Sequence, residues 1–233
     1  MSNSLIDIKK IAVVQSNKII IQNVSFQLFA GDFTFLIGKV GSGKTSLIKT
    51  LYAELPLLIG NAEIDNFNLM NIKNKEIPFL RRKLGIVFQD FKLLTDRNIH
   101  DNLKFVLEAT GWTDKNKISD RINEVLTEVD LSEKEYKMPN ELSGGEQQRI
   151  VIARAILNKP PIIIADEPTG NLDPESSLKI MEILNNLANS GSCVIIATHQ
   201  YNLIKKYPGR ILKIEKGALS EINYEEVDDL IWA

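Results

Sequence analysis

The 233-residue sequence contains one cysteine, two histidines and few aromatic residues (7%). A single thiol can form no disulfide within the chain and supplies no cysteine-based zinc site. Its place in the run Cys193-Val194-Ile195-Ile196-Ala197 reads as a buried strand thiol. No apolar run approaches the length of a membrane span. Met1-Ser2-Asn3-Ser4 lacks a basic stretch followed by a long apolar one, so no signal peptide is expected. The chain is therefore expected in the cytoplasm, peripheral on the inner face of the membrane and only through a partner. With 28 Lys and Arg against 30 Asp and Glu the net charge is −2, which argues against a strongly basic surface, so no nucleic acid partner is expected. Repeats and low-complexity stretches are absent as well. What remains is an ordinary globular composition, 44% hydrophobic and 25% charged, sufficient for one large core with an inserted subdomain.

The stretch around which the rest is organised is Gly38-Lys39-Val40-Gly41-Ser42-Gly43-Lys44-Thr45. The apolar run Phe33-Thr34-Phe35-Leu36-Ile37 leads into it, and the helical pattern Ser46-Leu47-Ile48-Lys49-Thr50-Leu51 leads out. Its spacing is that of a phosphate-binding loop, G-x-x-x-x-G-K-[ST], in the strand-to-helix context that gives the spacing meaning. Three glycines let successive N–H groups point into one concavity at a helix N-terminus, which attracts an anion. Lys44 can reach the β- and γ-phosphates, and the Thr45 hydroxyl can ligate Mg²⁺. The pattern implies a nucleoside triphosphate site.

Taken in order, residues 5–14 and 19–29 read as two strands around a polar turn, the second alternating apolar and polar along Val24-Ser25-Phe26-Gln27-Leu28. Leu58-Ile59-Gly60-Asn61 is expected to turn, and residues 62–69 to form an edge strand. Residues 84–88 read as a short strand, and residues 90–158 as a helical insertion with the 3.6-residue period. Strand and helix then alternate: 162–165, a helix over 174–189, then 193–198 and 210–214. This predicts an α/β fold with a mainly parallel sheet covered by helices. The acidic run Glu225-Glu226-Val227-Asp228-Asp229 reads as a solvated helix face, and His100 as an ordinary surface histidine.

Two further stretches carry chemistry. Ile162-Ile163-Ile164-Ala165-Asp166-Glu167 is an apolar strand ending in two carboxylates at the sheet edge where such folds bind ligands. Asp166 is expected in a Mg²⁺ shell, and Glu167 to orient or deprotonate a water for attack on the γ-phosphate. In Leu142-Ser143-Gly144-Gly145-Glu146, Ser143 and Glu146 form a capping box ahead of a helix. Gly144 and Gly145 leave its first amides bare for a second anion. A second phosphate-seeking helix end calls for a second nucleotide, as in a dimer with shared sites.

At this point the sequence resembles the ATP-binding cassette (ABC) ATPases over nearly its whole length. Leu142-Ser143-Gly144-Gly145-Glu146 matches their signature motif, and the other motifs follow in the family's order. The resemblance implies a P-loop NTPase fold in one domain, with a RecA-like core (1–89 and 159–233), an N-terminal antiparallel β subdomain and an α-helical subdomain (90–158). It implies a homodimer in the ATP state, each ATP lying between residues 38–46 of one copy (Ser46 included) and Ser143, Gly144 and Gly145 of the other, with Asp173 acting across the interface. Gln89 would contact Mg²⁺ and the water, and His199 the γ-phosphate.

Phe88-Gln89-Asp90-Phe91-Lys92-Leu93-Leu94 is close to the family's cell-division branch, whose cassettes work with the membrane protein FtsX. Phe91, Leu93 and Leu94 are the expected contact with such a partner. Lipoprotein- or macrolide-type exporters with their own permease are a neighbouring reading, and a soluble nucleotide-gated regulator is one of another class. One departure stands out. The family stacks adenine on an aromatic ring in the first strand pair, whereas this chain has Ala12-Val13-Val14-Gln15 there, leaving Val14 as an apolar substitute.

Overall fold

The structure, a computed structural model, describes residues 4–88 and 90–231. Its strands are β1 (Ile6–Gln15), β2 (Lys18–Leu28), β3 (Phe33–Ile37), β4 (Ile59–Ile64), β5 (Phe67–Asn68), β6 (Leu84–Val87), β7 (Ile162–Asp166), β8 (Cys193–Thr198), β9 (Arg210–Glu215) and β10 (Ala218–Ile222). Its α-helices are α1 (Lys44–Leu51), α2 (Ile77–Arg82), α3 (Ile99–Ala109), α4 (Lys115–Glu128), α5 (Gly144–Ile156), α6 (Pro174–Asn189), α7 (Tyr201–Ile204) and α8 (Tyr224–Ile231). They build an antiparallel sheet in the order β2-β1-β4-β5 and a larger one in the order β10-β9-β3-β8-β7-β6. In the second, β9, β3, β8, β7 and β6 run parallel, and β10 returns antiparallel to β9.

The central strands are apolar along their whole length because both faces are covered. Alternation divides their side chains between two cores. Phe33, Phe35 and Ile37, with Ile163, Val194 and Ile196, pack into the cluster that also takes α3, α4, α5 and α6. Leu36, with Ile162, Ile164 and Ile195, faces the cluster shared with the antiparallel sheet and α1. Cys193 is fully buried, as the sequence implied, and burial pushes its thiol up to about 12.

The β1–β2 hairpin closes on Ser16 and Asn17 alone, at φ 49° and 60°. Both are in the left-handed region that two-residue turns of matching twist require. A second hairpin corrects the sequence reading. Residues 58–61 are no turn: β4 begins at Ile59 and pairs with β1. Gly60 is there because β1 passes so close, and a Cβ on it would lie 2.4 Å from the Lys10 carbonyl oxygen, at a backbone φ of +88°. The turn comes later, at Asp65 and Asn66 (φ 43° and 69°), so residues 62–69 are two short strands and not one.

Between β6 and β7 the described regular elements are all helical, as the 3.6-residue period predicts. Two buried polar side chains organise this block. Asn102, 2% exposed, accepts from Leu94 N and donates to the carbonyls of Leu94, Arg97 and Asn98, which fixes the segment ahead of α3. Arg121 of α4, 4% exposed, donates to the Ile156 and Leu157 carbonyls and so caps the end of α5. Glu124 and Glu128 balance its charge. His100 is not the surface residue expected from sequence. Its Nδ1 lies 2.7 Å from Glu135 Oε1 and its ring stacks on Tyr136, so it pins the start of α3.

Candidate nucleotide site

β3 ends where its backbone turns into the phosphate loop, and two contacts explain why the turn needs glycine. A Cβ on Gly38 would meet the Ile214 carbonyl oxygen at 2.5 Å and Ser42 Oγ at 2.6 Å. Gly43 caps α1 at φ 107°, with the Ile20 side chain of β2 pressed against it. Lys39, Val40 and Gly41 project outward, with Val40 87% exposed. Behind them Lys44 is buried, its Nζ donating to Gly38 O at 2.9 Å and lying 3.6 Å from Glu167 Oε1.

Strands β7 and β8 bring the remaining groups to the same edge. Asp166 closes β7, and burial pushes its carboxyl above the usual range while a hydrogen bond with the Thr45 side chain pulls the other way. Asp166 Oδ1 and Ser42 Oγ are buried without hydrogen-bond partners. Two orphaned oxygens are costly in a folded protein unless something else satisfies them. A buried carboxylate oxygen beside a hydroxyl is the donor type that hard cations take.

Glu167 sits at φ 48°, a left-handed conformation that costs a residue with a side chain on the order of 1–3 kcal/mol. Its N–H donates to Ala197 O at 2.8 Å, which holds the strained turn. One carboxylate oxygen faces Lys44, and the other lies 2.9 Å from Nδ1 of the half-exposed His199. Lys44, Glu167 and His199 thus form one chain of contacts. A reciprocal pair, Thr169 Oγ1 to Gln200 Oε1 at 2.9 Å and Gln200 Nε2 to Thr169 O at 3.2 Å, ties the turn after β7 to the turn after β8. Sequence reasoning missed this pair, since Gln200 differs from any polar loop residue only by following His199.

Val14 is half-buried at the end of β1. Its neighbour Gln15 accepts a hydrogen bond from Ser46 Oγ at 2.7 Å, which draws β1 against the first turn of α1. Gln89 lies outside the described residues.

The signature residues stand apart from this cluster. Ser143 caps α5 by accepting from Glu146 N at 3.3 Å, and Glu146 accepts from Ser143 N at 2.8 Å, the capping box read from the sequence. Gly145 packs so closely on α6 that a Cβ would lie 2.4 Å from Ser176 Oγ. Asp173 caps α6, and bonds from Ser176 hold its carboxyl below the usual range. Among the described residues no hydrogen bond or ion pair joins Ser143, Gly144 or Gly145 to Lys44, Asp166 or Glu167.

The chain matches known proteins along most of its length. A family model described as ABC transporter covers residues 21–170. The cell division ATP-binding protein FtsE of Streptococcus pneumoniae serotype 2 (strain D39 / NCTC 7466) is 43% identical over 197 residues, 84% of this chain and 85% of that protein. FtsE of Bacillus subtilis (strain 168) is 41% identical over 216 residues, 92% and 94% of the two chains. An ATP-binding cassette solved as a post-hydrolysis dimer with ADP and Pi superposes with a TM-score of 0.83 at 30% identity, over 94% of this chain and 98% of that one. Similarity of this extent leaves one assignment: the chain belongs to the ABC transporter family, as an ATP-hydrolysing cassette.

Proposed function

We propose that this cassette is the ATPase subunit of a cell-division membrane complex, working as a homodimer beneath an FtsX-type protein. The observation that carries the catalytic part is the contact chain Lys44–Glu167–His199 beside the phosphate loop. Phosphate oxygens entering the loop compete for Lys44, which at present hydrogen-bonds to Gly38 O and pairs by charge with Glu167. That competition frees Glu167 to accept a proton from the attacking water, while His199 keeps its other oxygen oriented. Ser143, with the amides of Gly144 and Gly145, faces the nucleotide of the opposing copy, and Asp173 acts across the same interface. Phosphoryl transfer depends chiefly on positioning and charge neutralisation, which suits a site completed by dimer closure. A Mg²⁺ held by Thr45, Asp166 and Gln89 would neutralise phosphate charge. The unpartnered Asp166 oxygen beside the Thr45 hydroxyl supports that fit.

Similarity to FtsE proteins at 41–43% identity supports the cell-division assignment. No helix among the described residues is long and apolar enough to cross a membrane, so membrane attachment is assigned to a partner. Of the three apolar residues proposed to meet it, Leu94 is 38% exposed, while Phe91 and Leu93 are half-buried against the helical core. The test is co-purification from membranes, comparing wild type with Glu167→Gln held in ATP. Recovery of an FtsX-type protein, enriched by the variant, is the expected result. A larger permease with a periplasmic adaptor would make this an exporter cassette, and recovery of no membrane protein would make it a soluble regulator.

Val14 offers the adenine base an aliphatic contact where a ring would add about 1–3 kcal/mol of stacking. Val14→Tyr is therefore expected to lower the KM for ATP roughly fivefold or more with little change in kcat. Equal KM values for the two proteins would reject a role for Val14 in base binding.

A further inference from the structure

The backbone ladder between β7 and β8 ends just where the chemistry begins. The two strands pair as far as Asp166 and Ala197, and one further backbone bond follows, from Glu167 N to Ala197 O. Beyond that point side chains tie the two turns together. Glu167 Oε2 accepts from His199 N at 3.4 Å, long for a bond that has to fix a direction. The shorter tie is the Thr169–Gln200 pair, at 2.9 Å and 3.2 Å.

This pair is chemically specific. Thr169 is 1% exposed, and its carbonyl can only accept, so the Gln200 amide nitrogen must face it. The amide oxygen is then left to receive the Thr169 hydroxyl. A carboxylate of the same length lacks the donor, and a thioether lacks both halves. Gln200 N is anchored too, donating to Oγ1 of the buried Thr198 at 3.0 Å. Its side chain opens onto a cavity of about 480 Å³ shared with His199, Leu172 and Pro174, so hydrogen bonds rather than close packing set its place. The Thr169 carbonyl also accepts from Leu172 N at 3.3 Å, next to Asp173.

We propose that Gln200 is a positioning residue for ATP hydrolysis. Through Thr169 it holds the turn that aims the Glu167 carboxylate between Lys44 and His199. A left-handed residue with a side chain persists only where its surroundings over-determine it, and the Gln200 amide grips that turn from the neighbouring strand end. Without the amide, Glu167 relaxes toward ordinary backbone angles and its carboxylate leaves the line of attack. The proposal rests on the reading of Glu167 as general base.

The experiment compares wild type, Gln200→Met, Glu167→Gln and the double variant Glu167→Gln/Gln200→Met, each well below its own Tm. Met keeps roughly the volume of Gln and forms neither half of the pair. The expected result for Gln200→Met is a kcat about tenfold to a hundredfold lower, with KM for ATP within about twofold of wild type. Added to Glu167→Gln it should cost nothing more, since a base already removed cannot be misaimed. If Gln200→Met does not fold, Gln200→Glu is read instead by kcat and pH: its rate relative to wild type should rise as pH falls, because a protonated carboxyl regains the donor. A kcat within about twofold of wild type, a loss confined to KM, an equal further loss in the double variant, or a flat pH ratio for Gln200→Glu overturns the positioning role and leaves the base reading standing. Hydrolysis by Glu167→Gln near the wild-type rate overturns the base reading and the proposal with it.

Discussion

Glu167→Gln is expected to cut steady-state ATP hydrolysis about 10²- to 10⁴-fold while leaving ATP binding intact, the range over which a positioned general base contributes. The amide keeps the shape of the side chain and an acceptor for His199, so the local geometry survives. It cannot take a proton, and it removes a negative charge 3.6 Å from Lys44, where the γ-phosphate is to be received. Loss of that charge reduces repulsion toward ATP, so the variant should accumulate as an ATP-bound dimer. Phosphate release reads the first effect, and light scattering with and without ATP reads the second. Hydrolysis within a few-fold of wild type would remove Glu167 from the base role.

The largest effect on stability is expected at Arg121. Arg121→Ala leaves the Leu157 carbonyl without its buried donor and takes from Glu128 its counter-charge, while the Ile156 carbonyl keeps Lys159 N and Glu124 keeps the Lys159 ammonium. An orphaned buried acceptor together with the packing lost from a buried arginine stem costs about 2–4 kcal/mol. In a chain of this length that corresponds to a fall in Tm of roughly 4–16 °C. Calorimetry of the variant checks it, and a Tm within 2 °C or so of wild type would show that α5 ends without needing Arg121. Because α5 starts at the signature motif, ATPase activity measured well below the variant's Tm separates a loss of stability from a loss of alignment.

Much of this architecture is legible in the chain because the signals are local. The phosphate loop has its strand and helix on either side. Asp173 followed by Pro174 marks the start of α6 at the residue where the structure begins it. Ser143 and Glu146 announce their own capping box. The failures share a physical cause as well. Gly60 reads as a turn because a glycine demanded by a passing strand looks the same in sequence as one demanded by a reversal. Asn102 and Arg121 look like the polar face of amphipathic helices, and only the elements packed over them turn those positions inward, while Glu135 half-covers His100 in the same way. The Thr169–Gln200 pair joins residues from two different strand ends, a proximity that exists only once β7 and β8 are side by side.

The contact between Gly145 and Ser176 has a consequence for how two copies meet. With no room for even a methyl group between the start of α5 and the first turn of α6, Ser143, Gly144, Gly145 and Asp173 cannot be displaced independently of one another. Motifs separated by some thirty positions of chain form a single stamp. In the dimer we propose, where one copy presses it onto the nucleotide of the other, every group it carries would land together, and an imperfectly aligned encounter would forfeit them all. Closure should therefore behave as an all-or-none event. Gly145→Ala, by prising the stamp apart, should blunt the steepness of ATP-driven dimerisation even where each isolated copy still binds its nucleotide.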